Sequence, residues 1–382
     1  MNKFEKITHP VKELPNGDKL NLKIFRISSE NEGPHVHIQA SVHGAEHQGN
    51  AVIYKLMEYF HTHPFNGSIT FIPMANPSAI NLKVGTWTYG RFNPITGNNW
   101  NRNYHDICSL DHEMTGLDLD KFAEDNKERE WEEIKKEFKK TLFDCYKKLE
   151  NMISKYGPNE NGAVNLVLQK LASPSDIMLD LHTGPIACQY LYAAEYTRTS
   201  AAHFDADVTL LIPPEFAGAM DEATFVPWVK LKEAFERRGR TIPLDFEAFT
   251  VELGSEEVIS FKNAEQDCAR ILNYLHKKGV IDEFDYKSTK KKYAGFLRDY
   301  HKYTSPRGGL VDYTAKPGSI VKKDEEVCRF LLIQDIETGE DLKKGQWSYL
   351  APNDMIIVNH NTSASVGQGA ELFYALEKFF EL

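Results

Sequence analysis

Two histidines and a glutamate stand where they could hold a zinc ion. His43 and Glu46 lie in the segment Ser41–His47, in which an apolar strand runs into a glycine turn, and His182 ends a second apolar strand. Zinc accepts imidazole nitrogen and carboxylate oxygen, and a catalytic zinc keeps three protein ligands and leaves its fourth position to water. A His-x-x-Glu match is weak evidence by itself. The second strand end turns these residues into a candidate metal centre.

Two acidic residues lie inside apolar strands of the same kind. Asp180 precedes His182 by two residues, on the same strand face, and could accept a hydrogen bond from the imidazole. Glu252 lies in the apolar run Phe249–Gly254, where an ionised carboxylate loses hydration. A general base beside a metal-bound water takes the proton of that water as it attacks a carbonyl. We therefore predict Glu252, rather than the neighbouring glutamates, as the catalytic base.

Arginines and side-chain amides are concentrated in the loop segments Gly90–Phe92 and Asn98–Tyr104. A guanidinium group forms a planar fork that binds a carboxylate at two points, and an adjacent asparagine adds another hydrogen bond. Asn101 and Arg102 are therefore candidates for anchoring a substrate, although a solvated surface loop is an equally open interpretation.

The first 280 or so residues alternate between strand-like and helix-like patterns, which indicates an α/β layer architecture. A strand is predicted over His35–Val42, with apolar residues at every second position, and a helix over Gly49–Phe60. Further short apolar strands are predicted over Ser68–Pro73, Ile177–Leu181, Val208–Ile212 and Ala248–Leu253.

The segment from Leu117 to Tyr156 has a different composition. From Trp131 to Met152 its apolar residues follow a three-four spacing over more than five turns, and Glu and Lys occupy most other positions. This pattern predicts a long amphipathic helix whose apolar face packs on the domain or on a partner subunit. This charged helical segment either walls the site or forms an interface.

The pattern changes again near residue 290. Short apolar pieces punctuated by Gly, Pro and Asn follow, which is typical of a small all-β domain. Helical periodicity returns only in the last dozen residues. We therefore predict a catalytic α/β domain over residues 1–290 and a small β-barrel or sandwich over residues 300–382.

Composition limits the classes of function. The net charge is −10, from 45 basic and 55 acidic residues, which disfavours nucleic acid as a partner. No apolar run approaches the length of a membrane span, and there is no secretory leader, so a cytoplasmic protein is expected. Five scattered cysteines without CxxC spacing argue against disulfides and against a thiolate zinc site.

The order of these motifs resembles the succinylglutamate desuccinylase/aspartoacylase family of the zinc carboxypeptidase superfamily. The resemblance covers the whole chain and includes the small β domain. The matching pieces are His43-x-x-Glu46, Asn76–Pro77, Asn101–Arg102, Asp180–Leu181–His182, Val251–Glu252–x–Gly254 and the segment from Gly318 to Asp324. It implies a three-layer α/β/α zinc-carboxypeptidase-like domain with a central mixed sheet, followed by a small all-β C-terminal domain.

The resemblance also implies a role for each matching residue. One Zn²⁺ per chain would be bound by His43, Glu46 and His182, with Glu252 as the base. Arg91 would polarise the scissile carbonyl, and Asn101 and Arg102 would bind the free carboxylate of the substrate. The spacing from Arg91 to the Asn-Arg pair is longer than in the usual motif, and Asn103–His105 replaces the usual Phe-Pro. Compared with the family, residues 117–156 look like a charged helical insertion.

The expected substrate is a small molecule, either an N-acyl amino acid or a short peptide, cleaved at an amide bond next to a terminal carboxylate. A zinc-dependent deacylase is favoured, and a zinc carboxypeptidase or a catalytically inactive binding protein of the same fold are the alternatives. Because His47 follows Glu46, an inverted zinc protease, with both histidines and the glutamate on one helix, is a further alternative. The acyl group is left open, and so is the oligomeric state, a homo-oligomer included.

Overall fold

The computed structural model describes residues 1–288, 290–336 and 342–382, so residues 337–341 of the predicted β domain lie outside the described part. The helices of the described residues are α1 (Gln48–Thr62), α2 (Pro77–Asn81), α3 (His112–Thr115), α4 (Leu119–Asn126), α5 (Trp131–Ser154), α6 (Glu160–Ala172), α7 (Arg198–Ala201), α8 (Met220–Glu236) and α9 (Phe261–Lys277). None of these helices is long and apolar enough to cross a membrane, within the residues described.

The strands of the same residues are β1 (Glu5–Glu13), β2 (Lys19–Ser28), β3 (His35–Ala40), β4 (Ser68–Ile72), β5 (Lys83–Val84), β6 (Trp87–Thr88), β7 (Ile177–Gly184), β8 (Ile186–Ala187), β9 (Gln189–Ala194), β10 (Val208–Ile212), β11 (Glu247–Ser255), β12 (Tyr293–Phe296), β13 (Tyr300–Thr304), β14 (Gly309–Tyr313), β15 (Ile320–Val321), β16 (Glu326–Leu331), β17 (Gln346–Leu350), β18 (Met355–His360), β19 (Ser365–Val366), β20 (Glu371–Leu376) and β21 (Phe380–Glu381).

The chain forms two compact units, each built from several segments. The first consists of Met1–His182, Pro214–Thr250 and Glu257–Tyr286, and the second of Thr183–Pro213, Val251–Glu256 and Lys287–Leu382. The division predicted between residues 290 and 300 stays a prediction.

In the first unit, neighbouring strands follow the order β1-β2-β4-β3-β7-β11. β3 is parallel to both β4 and β7, whereas β2 is antiparallel to β1 and β4, so the sheet is mixed. Gln39 on β3 pairs with Asp180 on β7, and Ala40 pairs with Leu181. This register brings the end of β3 beside the end of β7, because parallel strands end at the same edge of a sheet.

The helices of the first unit bury the apolar faces that their sequences predict. On α1, Val52, Ile53, Leu56 and Phe60 are fully buried, and α9 packs against this helix. Fully burying an aliphatic or aromatic side chain stabilises a fold by about 1.5–3 kcal/mol. The predicted long amphipathic helix is confirmed as the single helix α5, and the short helix α4 precedes it. α5 buries the core of the predicted apolar stripe, from Ile134 to Leu149.

Two boundaries differ from the prediction at the place where β3 meets α1. β3 ends at Ala40 rather than Val42, because Ser41 takes a left-handed conformation with φ of 60°. α1 begins at Gln48, one residue before the predicted start, so Glu46 lies in the turn before the helix.

The second unit is rich in small sheets. β9, β10 and β12 are parallel neighbours, and β21 pairs antiparallel with β12. Two antiparallel sheets follow the orders β13-β20-β18-β15 and β17-β16-β14-β19. Their common core includes Val327, Phe330, Met355 and Leu372. The predicted fold class, an α/β fold with a large mixed sheet and small antiparallel sheets near the C-terminus, is confirmed.

The prediction of a helix in the last dozen residues is wrong, because these residues form β20 and β21. β20 lies between β13 and β18, and both pair with it. A central strand of this kind buries side chains on both faces, so Leu372, Phe373, Ala375 and Leu376 are all buried. Their spacing imitates the three-four spacing of a helix.

Candidate metal centre

The turn between β3 and α1 is held by the segment that follows β4. Asn76 donates from its backbone N–H to the carbonyl of Ser41 (3.1 Å) and from its side-chain amide to the carbonyl of Val42 (3.1 Å). Gly44 passes so close to α2 that a Cβ there would lie 2.3 Å from the carbonyl oxygen of Ala79. Only glycine fits this approach. The turn is therefore shaped before any ligand binds.

This turn and the end of β7 bring together the three residues predicted to bind metal. His43 Nδ1 lies 2.8 Å from Glu46 Oε1, and His182 Nδ1 lies 2.7 Å from Glu46 Oε2. All three side chains are buried, with 3% of His43, 2% of Glu46 and 2% of His182 exposed. Among the described residues, they form a group whose donor atoms lie within 4.8 Å of one another and could hold a metal ion.

The charges of the group follow from burial and from mutual attraction. Burial lowers the pKa of His43, and the carboxylate of Glu46 does not compensate for it. Burial would raise the pKa of Glu46, but the two imidazoles outweigh it and hold this pKa well below its usual value. Burial likewise lowers the pKa of His182, but the carboxylates of Asp180 and Glu46 outweigh it and raise this pKa well above its usual value. A buried carboxylate therefore attracts positive charge to this position.

The outer nitrogen of His182 faces a buried carboxylate. His182 Nε2 lies 2.9 Å from Asp180 Oδ2, within the distance of the predicted hydrogen bond. Asp180 Oδ1 in turn accepts a hydrogen bond from Gln39 Nε2 (3.1 Å), and Gln39 Oε1 lies 3.1 Å from His37 Nε2. The register between β3 and β7 makes this row of contacts, because Gln39 and Asp180 are directly paired.

The donor set fits a zinc ion. Both histidines direct Nδ1 towards Glu46, and their Nε2 atoms are held by Asp180 and by the amide oxygen of Asn99 (2.8 Å from His43). Histidines that bind metal typically have the other ring nitrogen hydrogen-bonded in this way. Two imidazoles and one carboxylate are also a ligand set that catalytic zinc accepts.

The loop that carries the predicted substrate residues adjoins this group. Arg91 Nη2 lies 3.6 Å from Glu46 Oε1, with 42% of the arginine side chain exposed. Asn101 is buried, and its Nδ2 lies 3.4 Å from His182 Nε2. Arg102 is exposed and donates from Nη1 to the carbonyl of Asn101 (2.7 Å). The roles of these residues in substrate binding stay predictions.

Comparisons with known proteins place the chain in a family. The model of the succinylglutamate desuccinylase/aspartoacylase catalytic domain matches residues 32–146. A crystal structure of a family protein from Shewanella amazonensis SB2B is 39% identical, with a TM-score of 0.91, and the match covers 99% of this chain and 100% of that chain. The chain belongs to the succinylglutamate desuccinylase/aspartoacylase family.

Other structures support the same placement. A second family protein, from Shewanella frigidimarina NCIMB 400, is 36% identical with a TM-score of 0.91, and the match covers 100% of this chain and 99% of that one. The product-bound ectoine utilization protein EutE (DoeB) of Ruegeria pomeroyi has a TM-score of 0.64 over 99% of this chain and 95% of its own. It is 14% identical, so it shares the fold alone. No curated protein gave a significant match. The predicted resemblance is confirmed, and the family is named for hydrolases.

The predicted base, Glu252, lies on β11 and is 5% exposed. β11 begins in the first unit, which contains the three candidate ligands, and Glu252 belongs to the second unit. Within the second unit, burial raises the pKa of Tyr300 well above its usual value, and the charges of Tyr192 and Glu252 raise it further. Glu252 is therefore a buried carboxylate, and its role as the base stays a prediction.

The sequence did not indicate Glu257, which connects two loops of the first unit. Its side chain accepts a hydrogen bond from the backbone N–H of Thr88 (2.6 Å), and its own N–H donates to the carbonyl of Ala45 (2.7 Å). Its φ is 60°, a left-handed conformation that glutamate seldom takes. Thr88 lies three residues before Arg91, so Glu257 ties the arginine's segment to the turn that carries Glu46.

The inverted-protease alternative requires His43, Glu46 and His47 on one helix. α1 begins only at Gln48, so none of the three lies on it. His47 Nε2 instead lies 3.8 Å from Glu257 Oε2. The helical arrangement that the alternative requires is therefore absent from this described segment.

Proposed function

We propose that the chain is a zinc-dependent hydrolase that removes the acyl group of an N-acyl amino acid, cleaving an amide bond next to a terminal carboxylate. The observation that carries the proposal is the buried group of His43, Glu46 and His182, with donor atoms within 4.8 Å of one another. Membership of a family named for a desuccinylase and an aspartoacylase supports hydrolysis as the reaction class.

The metal would be bound by Nδ1 of His43 and His182 and by the carboxylate of Glu46. A zinc ion supplies Lewis acidity towards a carbonyl and lowers the pKa of a water molecule. The protein's contribution is to hold three donors together at 3% exposure or less and to keep Glu46 ionised. A bound zinc ion would supply the positive charge that this buried carboxylate attracts.

Glu252 is proposed as the general base. In this role its carboxylate takes the proton of the attacking water and delivers it to the leaving amine. The support is its burial at 5% exposure and its place in a Val-Glu-x-Gly strand segment that matches the family pattern.

The loop residues are proposed to bind the substrate. Arg91, 3.6 Å from Glu46 and partly exposed, would donate to the oxygen that becomes negatively charged, an interaction typically worth about 3 kcal/mol. Asn101 and Arg102 would bind the terminal carboxylate, because an arginine fork and an amide donor match its oxygens. The partner is therefore a small molecule.

The free state of all five cysteines supports a reducing compartment such as the cytoplasm.

The test begins with zinc content and with a substrate panel. Purified protein is expected to contain about one zinc per chain and to hydrolyse N-acyl amino acids. It should not hydrolyse the same substrates when their terminal carboxylate is amidated. Hydrolysis of dipeptides but not of N-acyl amino acids would favour the carboxypeptidase alternative. Bound zinc without any turnover would favour a binding protein.

A pair of variants tests the base. Glu252→Gln should retain zinc and lose nearly all turnover, because general-base catalysis contributes about 10²–10⁴-fold. Glu256→Gln, four residues further along the chain, is the matched control and should remain active. Equal activity of the two variants would remove Glu252 as the base.

A further inference from the structure

Asn99 contacts the outer nitrogen of His43. Asn99 Oδ1 lies 2.8 Å from His43 Nε2, across 56 residues of sequence. The same oxygen accepts a hydrogen bond from the backbone N–H of Asn101 (2.9 Å). This asparagine therefore lies between a proposed metal ligand and the loop proposed to bind substrate.

The second hydrogen bond determines which way the side-chain amide points. A backbone N–H can only donate, so the Asn99 atom that faces Asn101 is the oxygen and not the NH₂ group. That oxygen also faces His43, so His43 Nε2 must carry a proton to donate to it. In a neutral imidazole Nδ1 is then unprotonated, so its lone pair is available to a metal ion bound between His43 and Glu46. The backbone of the loop thus sets the tautomer of His43.

The two histidines are held by chemically different partners. Asp180, a carboxylate that is fully buried, lies 2.9 Å from His182 Nε2. Asn99 is only partly buried, and its amide carries no net charge. A carboxylate partner raises the basicity of a metal-binding imidazole more than a neutral amide does. The same donor atom, Nδ1, therefore has different strength in the two rings.

We propose that Asn99 is a positioning residue that fixes the tautomer and ring orientation of His43 for metal binding, and that its neutral amide makes His43 the weaker of the two imidazole ligands. The proposal rests on the zinc site of the proposed function. It predicts that zinc affinity falls when the Asn99 oxygen is removed and rises when the oxygen becomes part of a carboxylate.

The experiment measures the Kd for zinc alone, by competition with a chromophoric chelator, on the full chain. Asn99→Leu keeps the branched shape of the side chain but has no acceptor, and it should bind zinc about 10–100-fold more weakly, as loss of such a partner typically does. Asn99→Asp keeps the acceptor and adds a charge, so it should bind zinc more tightly than the wild type, and an unchanged Kd would contradict the weaker-ligand role of His43. Asn98→Asp adds the same charge one residue away and serves as the control. Its zinc affinity should stay near the wild-type value.

Each outcome decides the proposal. It is overturned if Asn99→Leu binds zinc like the wild type, or if Asn98→Asp tightens binding as much as Asn99→Asp, since charge alone would then explain the gain. If Asn99→Leu does not fold, as judged by circular dichroism, the comparison of the two aspartate variants decides alone. A wild-type chain that binds no zinc would refute the proposed function as well. If the wild type binds zinc and Asn99→Leu has the same Kd, only the role of Asn99 is refuted.

Discussion

The proposed ligands and the proposed substrate residues differ in how firmly the fold holds them. The three ligands are at most 3% exposed, and both ring nitrogens of each histidine have a partner. Among the substrate residues, Asn101 is buried, whereas Arg102 is exposed and 42% of the Arg91 side chain is accessible. The candidate metal centre is thus held in place by the fold, whereas the proposed substrate residues depend on a loop.

This difference has a thermodynamic meaning. Groups held in place by folding bind without a further cost in conformational entropy, whereas exposed arginine side chains lose rotamer freedom when they bind a ligand. We therefore expect substitutions in the buried group to abolish metal binding. Substitutions in the loop should weaken substrate binding by graded amounts.

The largest effect is expected for Glu46→Gln. An amide cannot replace the carboxylate between two imidazoles, because it is uncharged and presents only one oxygen. Zinc affinity should fall by more than the roughly 10–100-fold that is typical when a residue hydrogen-bonded to a metal-binding histidine is lost. Glu58→Gln, on the exposed face of α1, is the control. Stoichiometric zinc in the Glu46 variant would show that the metal does not bind at this group.

The second-largest effect is expected on the pH dependence of stability, in the buried polar region around Asp180. Asp221 is 3% exposed, and burial, with the charges of Glu222 and Asp180, raises its pKa from 3.8 to about 7. The folded state therefore binds this proton more tightly than the unfolded state does. The resulting stability is present below pH 3.8 and is lost as pH rises through about 7.

In the Asp221→Asn variant the side chain is neutral at every pH, so the variant should not show this loss of stability. Relative to the variant, the wild type should lose up to about 4 kcal/mol in free energy of unfolding between pH 4 and pH 8, at 1.36 kcal/mol per pKa unit. Urea denaturation at several pH values measures it. Asp125→Asn, on the exposed side of α4, should show no such pH dependence. A constant difference between wild type and Asp221→Asn would contradict the expected titration.

The third effect moves to the loop. Arg102→Ala should raise KM, because charge-assisted hydrogen bonds contribute about 1.5–3 kcal/mol, roughly 10–100-fold in affinity. Zinc content should not change. Arg129→Ala, an exposed arginine elsewhere in the same unit, is the matched control. If amidated and free substrates are discriminated equally well by the Arg102 variant and the wild type, Arg102 does not bind the carboxylate.

The sequence predicted what depends on local periodicity. The strand ends near His43 and His182 could be located because apolar runs mark buried strands, and glycines nearby mark turns. The parallel register that brings these ends together is a property of the sheet, so it could be inferred only from the family resemblance.

Long-range hydrogen bonds to single side chains could not be predicted. Asn99 and His43 are 56 residues apart, and Thr88 and Glu257 are 169 apart. Neither pairing leaves a periodic pattern, and a left-handed glutamate carries no signal at all. The same limit explains the misread C-terminus, because double-sided burial of β20 gives a strand the apolar spacing of a helix.

The smallest effect is expected at Glu257, which joins the Thr88 backbone to the turn of the proposed ligands. Glu257→Ala removes the acceptor for the Thr88 N–H, and losing one such bond costs about 1 kcal/mol, roughly fivefold in an equilibrium constant. Glu257→Gln keeps an acceptor oxygen and should behave like the wild type. Because the bond positions the segment that carries Arg91, the alanine variant should lower kcat/KM about fivefold while zinc affinity stays unchanged. A matching loss in the glutamine variant would mean that the charge near His47 matters, and not the hydrogen bond to Thr88.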